Sequence, residues 1–448
     1  MTERLPRIAL VVFIAGLALH NLAMTGLWDL GVRGRALDAV AAWKDVLLLA
    51  ALAAALWGAR SVPLSLWADR FALAFAGVVV LYWLLPQSWL GGEATGRGEL
   101  FALRHDLLPV GAYFLGRLLR LSSRDWRRVS LALAGTAVAL TLWGLVDVYL
   151  VPLQWWRDSA VPEWFGEQLG LTYRGLSGLP ENWVLNTGDE LNPIRRLVST
   201  FLSPLASAYL LVVALLYLLA RRPSRWTVAA SGIAYVGLLW THTRAAYLAL
   251  AGGLLVLAAV QRRWVPVALA VASIVAGVAF VKAFPHIGPT TSYTQAELVI
   301  LRAQGQKLPG VGTDPLGGSD ASLSSHLRNL RDGIEVVVRH PQGHGLGNAG
   351  VNASRTGVAV IAGESTYTEL GVDAGLTGMV AFVAWMLAVL AALWRRSAWM
   401  TAAWAAMLAI GVQTDVIGVH WIAYVVFALA GAAVGRGLPD EEQVELPG

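Results

Sequence analysis

The chain has 448 residues, of which 56% are hydrophobic and 14% charged, with a net charge of +5 and no cysteine. A soluble domain carries about 25% charged residues, so this composition, with a mean hydropathy of +0.58, excludes an ordinary soluble protein. The missing cysteines exclude disulfides, thiolate metal sites and a thiol nucleophile, and the arginines cluster at the ends of apolar runs, as in a polytopic membrane protein rather than a nucleic-acid binder.

A membrane span needs about 20 mostly apolar residues. Twelve runs qualify, centred on 7–25, 37–58, 70–89, 103–120, 128–150, 197–220, 225–242, 245–261, 264–282, 365–394, 398–414 and 417–435. The first lacks a small-residue cleavage site and reads as a retained span rather than a signal peptide. The fourth is the most polar, with Arg104, His105, Asp106 and Arg117, and the tenth is long enough to tilt. The predicted fold is an all-α integral membrane protein of about 12 helices. Short loops rich in arginine, such as Arg117 to Arg128, Arg221 to Arg225 and Arg395 to Arg396, alternate as the cytoplasmic set, with both termini on that side. The long segments 151–196 and 283–364 then lie outside.

This divides the chain into five spans over 1–150, a first outer segment over 151–196, four spans over 197–282, a larger outer segment over 283–364, and three spans with a cytoplasmic tail over 365–448. Trp155, Trp156, Trp164 and Trp183 suggest that the first outer segment lies against the membrane surface. The second opens with the irregular stretch KLPGVGTDPLGGSDASLSS. His326 to His340 then reads as an amphipathic helix. Leu327, Leu330, Ile334, Val337 and Val338 form its apolar stripe, with Arg328, Arg331, Asp332, Glu335 and Arg339 opposite. It is expected to lie on the membrane or to cap a cavity. No nucleotide-binding, zinc or calcium motif occurs, so neither cofactor nor metal is signalled.

Arg195, Arg196 and Arg244 fall near the predicted outer surface, and arginine's planar fork suits phosphate. Arg195 reads as snorkelling to headgroups; Arg244, in THTRAAYL, reads as functional because an intramembrane charge usually marks a site. Lys44 and Asp45 are neighbours on one helix, so each must pair elsewhere. In HPQGHGLGN, the turn around His340, His344, Gly345 and Gly347 is either an anion-binding nest or a sharp reversal. Glu364 at the start of the tenth span is either a general base with a raised pKa or a helix cap. His326, His340 and His344 are rival bases.

Four stretches in order, RRLVSTFLSPLASAYLL, THTRAAYLAL, HPQGHGLGNAG and ESTYTELGVDAGLTG, resemble the bacterial O-antigen ligase and polymerase superfamily over about residues 190–390. The resemblance implies a fold similar to GT-C glycosyltransferases. It also implies metal-independent transfer of a glycan from undecaprenyl pyrophosphate to an acceptor hydroxyl, outside the plasma membrane of a bacterium. Arg196 and Arg244 would then grip the pyrophosphate, Glu364 or His326 would supply the base, and Arg328, His340, His344, Gly345 and Gly347 would line the substrate site. Ligases of this superfamily carry a histidine where this chain has Glu364, which favours a polymerase extending a lipid-linked repeat unit. A chain-length regulator is the further partner this class allows. The alternatives are a ligase acting on lipid A-core or a protein hydroxyl, and a transporter or flippase of lipid-linked glycan; the concentration of polar residues in two outer segments argues against the transporter.

Overall fold

A computed structural model describes residues 4–59, 61–171, 179, 183–185, 194–289, 299 and 321–435. The irregular stretch before Ala321 and the tail after Gly435 lie outside the described residues. The helices are α1 (Arg4–Asp29), α2 (Gly34–Ala41), α3 (Trp43–Ala59), α4 (Trp67–Leu84), α5 (Gln87–Leu90), α6 (Gly96–Leu118), α7 (Ser123–Leu150), α8 (Leu153–Arg157) and α9 (Val161–Glu163). After a two-residue antiparallel pair, Val184–Leu185 with Ile194–Arg195, come α10 (Pro204–Leu219), α11 (Arg225–Trp240), α12 (Arg244–Gln261) and α13 (Val265–Ile287). The chain continues with α14 (Ala321–Arg339), α15 (Gly350–Thr356), α16 (Thr366–Leu393), α17 (Ala398–Ile410) and, after a π-helical turn over Ile422–Val426, α18 (Phe427–Gly435).

Seven stretches of described helix are long and apolar enough to cross a membrane, and three shorter apolar helices accompany them. Their outward aliphatic residues are exposed, as Leu49, Leu248 and Val275 illustrate. Such a surface suits lipid rather than water. Local signals set the helix ends. Ser122 and Asp125 form a capping box at α7, and Ser203 caps α10 with Pro204 in its first turn.

Lipid tails are as apolar as leucine, so helix association in a bilayer depends on close packing and interhelical polar bonds. Both are present. A Cβ on Gly116 of α6 would fall 1.9 Å from the Ala428 carbonyl oxygen, and one on Gly431 of α18 would fall 2.1 Å from that of Tyr113. Only glycine allows this crossing. Near it, Arg117 donates Nε–H to Asp69 Oδ1 at 2.6 Å and Nη2–H to Oδ2 at 2.9 Å, and the Tyr113 hydroxyl donates to Asp69 at 2.8 Å.

Three expectations change. Candidate span 37–58 is two helices meeting at Ala42. In the first outer segment, Trp156, Trp164 and Trp183 turn inward with Met24, Trp28 and Leu202 to form a satellite core, and only Trp155 of the four is exposed. Indole is large enough to build a small core of its own, which burial here prefers to a surface belt. Arg195 does not reach for headgroups. It is buried, donates to Asp147 Oδ1 at 3.2 Å, and satisfies carbonyls at the end of α7.

Candidate active site

The THTRAAYL stretch forms a tight turn between α11 and α12, and α12 begins at Arg244. Arg196 lies behind this turn. Its Nε–H donates to the Thr241 carbonyl at 2.8 Å and its Nη2 to Thr243 Oγ1 at 3.1 Å. Burial, with the nearby charge of Arg244, pushes the Arg196 guanidinium down to about 10. Nε and Nη2 of Arg196 brace the turn that presents Arg244, because a reversal with outward carbonyls needs a buried donor. Arg244 itself is half-buried at the helix N-terminus.

The glycine turn does form a nest, but the chain fills it. Gly347 N–H donates to Asp373 Oδ2 and Asn348 N–H to Asp373 Oδ1, both at 3.0 Å. The Gly345 and Gly347 N–H groups both serve α16. The cause is a break in that helix at Ala374 and Gly375. A broken helix frees carbonyls that lipid cannot satisfy. His344 N–H donates to the Val372 carbonyl at 2.6 Å, Gly345 N–H to that of Asp373 at 3.0 Å, and Leu376 N–H to that of Pro341 at 2.8 Å. Positive φ at Gly343, Gly345, Gly347 and Gly375 makes this backbone-on-backbone fit possible. The His340 and His344 rings lie 4.7 Å apart, and burial, then His340, holds His344 below its ordinary value.

Glu364 and His326 come together. His326 Nδ1 lies 2.6 Å from Glu364 Oε2, and Asn329 Nδ2 donates to Glu364 Oε1 at 2.7 Å. The hydrogen bond from His326 holds the Glu364 carboxyl below its ordinary value against the opposing effect of burial. This reverses the raised pKa expected for a carboxylate base. The capping alternative also changes: Ser365 is the N-cap, and the first-turn carboxylate that reaches back is Glu369, whose Oε1 accepts the Glu364 N–H at 2.9 Å. Glu364 has a positive φ of 78°, which turns its side chain toward α14.

α14 turns only part of its apolar stripe inward. Val337 and Gly333 pack on α16, against Gly371 and Thr368, while Leu327, Ile334 and Val338 are 58%, 52% and 73% exposed. The buried edge is the one that carries His326 and Asn329. Arg328 stands on the exposed surface.

The turn after α17 packs against the start of α16. Thr366 N–H donates to the Gly411 carbonyl at 3.0 Å, and Thr366 Oγ1 accepts from Val416 N–H at 2.8 Å. Tyr209 lies beside both Thr414 of that turn and Arg196. Asp415 in the same turn sits 2.9 Å from His105 Nε2, whose Nδ1 is 2.7 Å from Asp106. Asn329, Glu369 and Asp415 escaped the sequence reading. Asn329 was detectable as the residue one turn beyond His326; Asp415 had no local signal.

Residues 229–383 match the family model described as O-antigen ligase. That segment contains Arg244, His326, the glycine turn, Glu364 and Asp373, but not Arg196. No curated protein matches the chain.

Proposed function

We propose, from the match of residues 229–383 to the O-antigen ligase family model, that the chain is a polysaccharide polymerase of the O-antigen ligase and polymerase superfamily. It moves a growing glycan from undecaprenyl pyrophosphate onto a sugar hydroxyl of a second lipid-linked repeat unit. The fold is a GT-C-like bundle of about 12 spans: α6 and α11 join the ten apolar stretches. The site faces the extracytoplasmic side, where the basic loops are absent.

The observation that carries this reading is the 2.6 Å contact between His326 and Glu364. An ionised Glu364 requires the proton on Nδ1, which puts the lone pair on Nε2. In the reaction, Nε2 takes the proton of the acceptor hydroxyl. The hydroxyl oxygen attacks the anomeric carbon, the carbon–oxygen bond to the pyrophosphate breaks, and the configuration inverts. Arg244 stabilises the charge that gathers on the leaving pyrophosphate. Arg196 holds the Arg244 turn, and Asn329 fixes the Glu364 carboxylate. The base thus comes from α14, one segment away from the position where ligases of this superfamily carry a histidine. The exposed stripe of Leu327, Ile334 and Val338 lies on the membrane surface and seats α14 over the site.

The test is reconstitution. Purified protein in liposomes, given one undecaprenyl-pyrophosphate-linked repeat unit and no other acceptor, should build a ladder of longer lipid-linked glycans. Transfer only after addition of lipid A-core or a protein acceptor would make the chain a ligase.

A further inference from the structure

A second group of cations lies apart from Arg196 and Arg244, where α2, α3, α6 and α15 meet. Arg97 and Arg355 bracket the Phe101 ring, with guanidinium carbons 5.1 Å and 4.7 Å from its centroid. Arg104 on the next turn of α6 reaches Asp45, with Nε and Nη2 each 3.0 Å from a carboxylate oxygen. The Tyr424 hydroxyl donates to the same carboxylate. Lys44 beside it is 3% exposed, and its Nζ is 3.0 Å from His20 Nε2 and 2.8 Å from the Ala41 carbonyl. Arg355 donates Nε–H to the Leu169 carbonyl at 3.0 Å.

The charges do not balance. Lys44, Arg97, Arg104 and Arg355 face Asp45 and the more distant Asp38, which is 3.9 Å from Arg97 and exposed. Among the described residues, neither Lys44 nor Arg355 has a carboxylate partner. Burial, then Arg104 and Arg97, pushes Arg355 down to about 10. A field of this sign stores repulsion that a polyanion relieves. The cluster is also bordered by exposed aliphatic side chains: Val46 and Leu49 on α3, Leu100 on α6 and Val351 on α15.

We propose that Arg97, Arg104 and Arg355 form a second binding site for a lipid-linked phosphate group, with Lys44 buried behind them, which holds the diphosphate of the acceptor substrate while its prenyl chain lies along the adjacent aliphatic rim. The choice of acceptor rests on the polymerase reading above; the cation cluster and its rim do not. The diphosphate supplies the anion that Arg355 lacks, and the separate Arg244 site serves the donor. An anionic phospholipid headgroup offers the same chemistry, so the test must separate the two.

The full chain in phosphatidylcholine nanodiscs is titrated with undecaprenyl diphosphate lacking a glycan, and bound molecules are counted by native mass spectrometry. Wild type should hold two. Arg355→Gln and Arg97→Gln should each hold one, as should Arg244→Gln, with the remaining affinity within about threefold of wild type. In the reconstituted reaction, Arg355→Gln should raise the KM for the repeat unit about tenfold or more and spare kcat. Two molecules bound by both Arg355→Gln and Arg97→Gln would overturn the site, even if a ladder forms. One fewer molecule bound by these variants, with no ladder in wild type, would sustain the site and sink the polymerase reading. Equal displacement by phosphatidylglycerol would overturn the assignment to a diphosphate lipid.

Discussion

His326 and Glu364 stand 38 residues apart in the chain and 2.6 Å apart in space. Neither is a base of much use alone: an exposed histidine is solvated, and an ionised carboxylate below its ordinary value is a weak proton acceptor. Together they make an oriented imidazole. General-base catalysis is worth about 10²–10⁴ in rate. His326→Ala and Glu364→Gln should each lower kcat by that order, and the double variant should lose little more, since the two act as one unit. Additive losses in the ladder assay would show that they act separately.

The same contact makes the docking of α14 depend on pH. The Glu364 carboxyl titrates below its ordinary value in the folded chain. Its contribution is therefore present above the unfolded pKa, including neutral pH, and is lost as pH falls through the depressed folded value. Hydrogen exchange across 326–339 should stay slow from neutral pH to the ordinary carboxylate range and accelerate below it. Glu364→Gln should abolish that acid transition.

Arg244 and Arg196 should fail differently. Arg244→Ala and Arg244→Lys should both reduce turnover by about 10²-fold or more, since a lysine lacks the bidentate fork. Full activity of the lysine variant would mean that only a positive charge is needed. Arg196→Ala strips donors from buried carbonyls of the 241–243 turn, at a cost of about 1–3 kcal/mol. Its thermal midpoint should fall along with its activity, whereas the Arg244 variants should melt near wild type.

Asp373 fills the nest with its own carboxylate. Asp373→Ala leaves the Gly347 and Asn348 N–H groups buried without an acceptor, again about 1–3 kcal/mol. Formate should restore part of the lost thermal midpoint by occupying the nest, and should do nothing for wild type. No rescue would mean that the nest collapses when its anion is removed.

Asp69 is fully buried against Arg117. Asp69→Asn strands a guanidinium between α4 and α6, which costs about 3–5 kcal/mol. The measure is the detergent or thermal midpoint of the purified chain, and a loss below about 1 kcal/mol would place Arg117 in contact with water or headgroups instead.

Hydropathy alone marked where the helices run, because a bilayer demands long apolar segments whatever packs beside them. Composition excluded soluble folds, and short ordered stretches located Arg244, the glycine turn and Glu364 on one segment of chain. What no local pattern contains is which polar group meets which. The nest at Gly347 reads as vacant until α16 breaks at Gly375 and swings Asp373 into it. Arg195 and Arg196 are adjacent and chemically identical, yet one closes α7 through Asp147 and the other braces the Arg244 turn. Glu364 looks like a base with a raised pKa until His326 arrives from α14 and reverses the shift. Burial and periodicity act over a few residues and can be read along the chain. Ionisation and hydrogen-bond partnership depend on neighbours brought from tens or hundreds of residues away, and only the packed helices supply them.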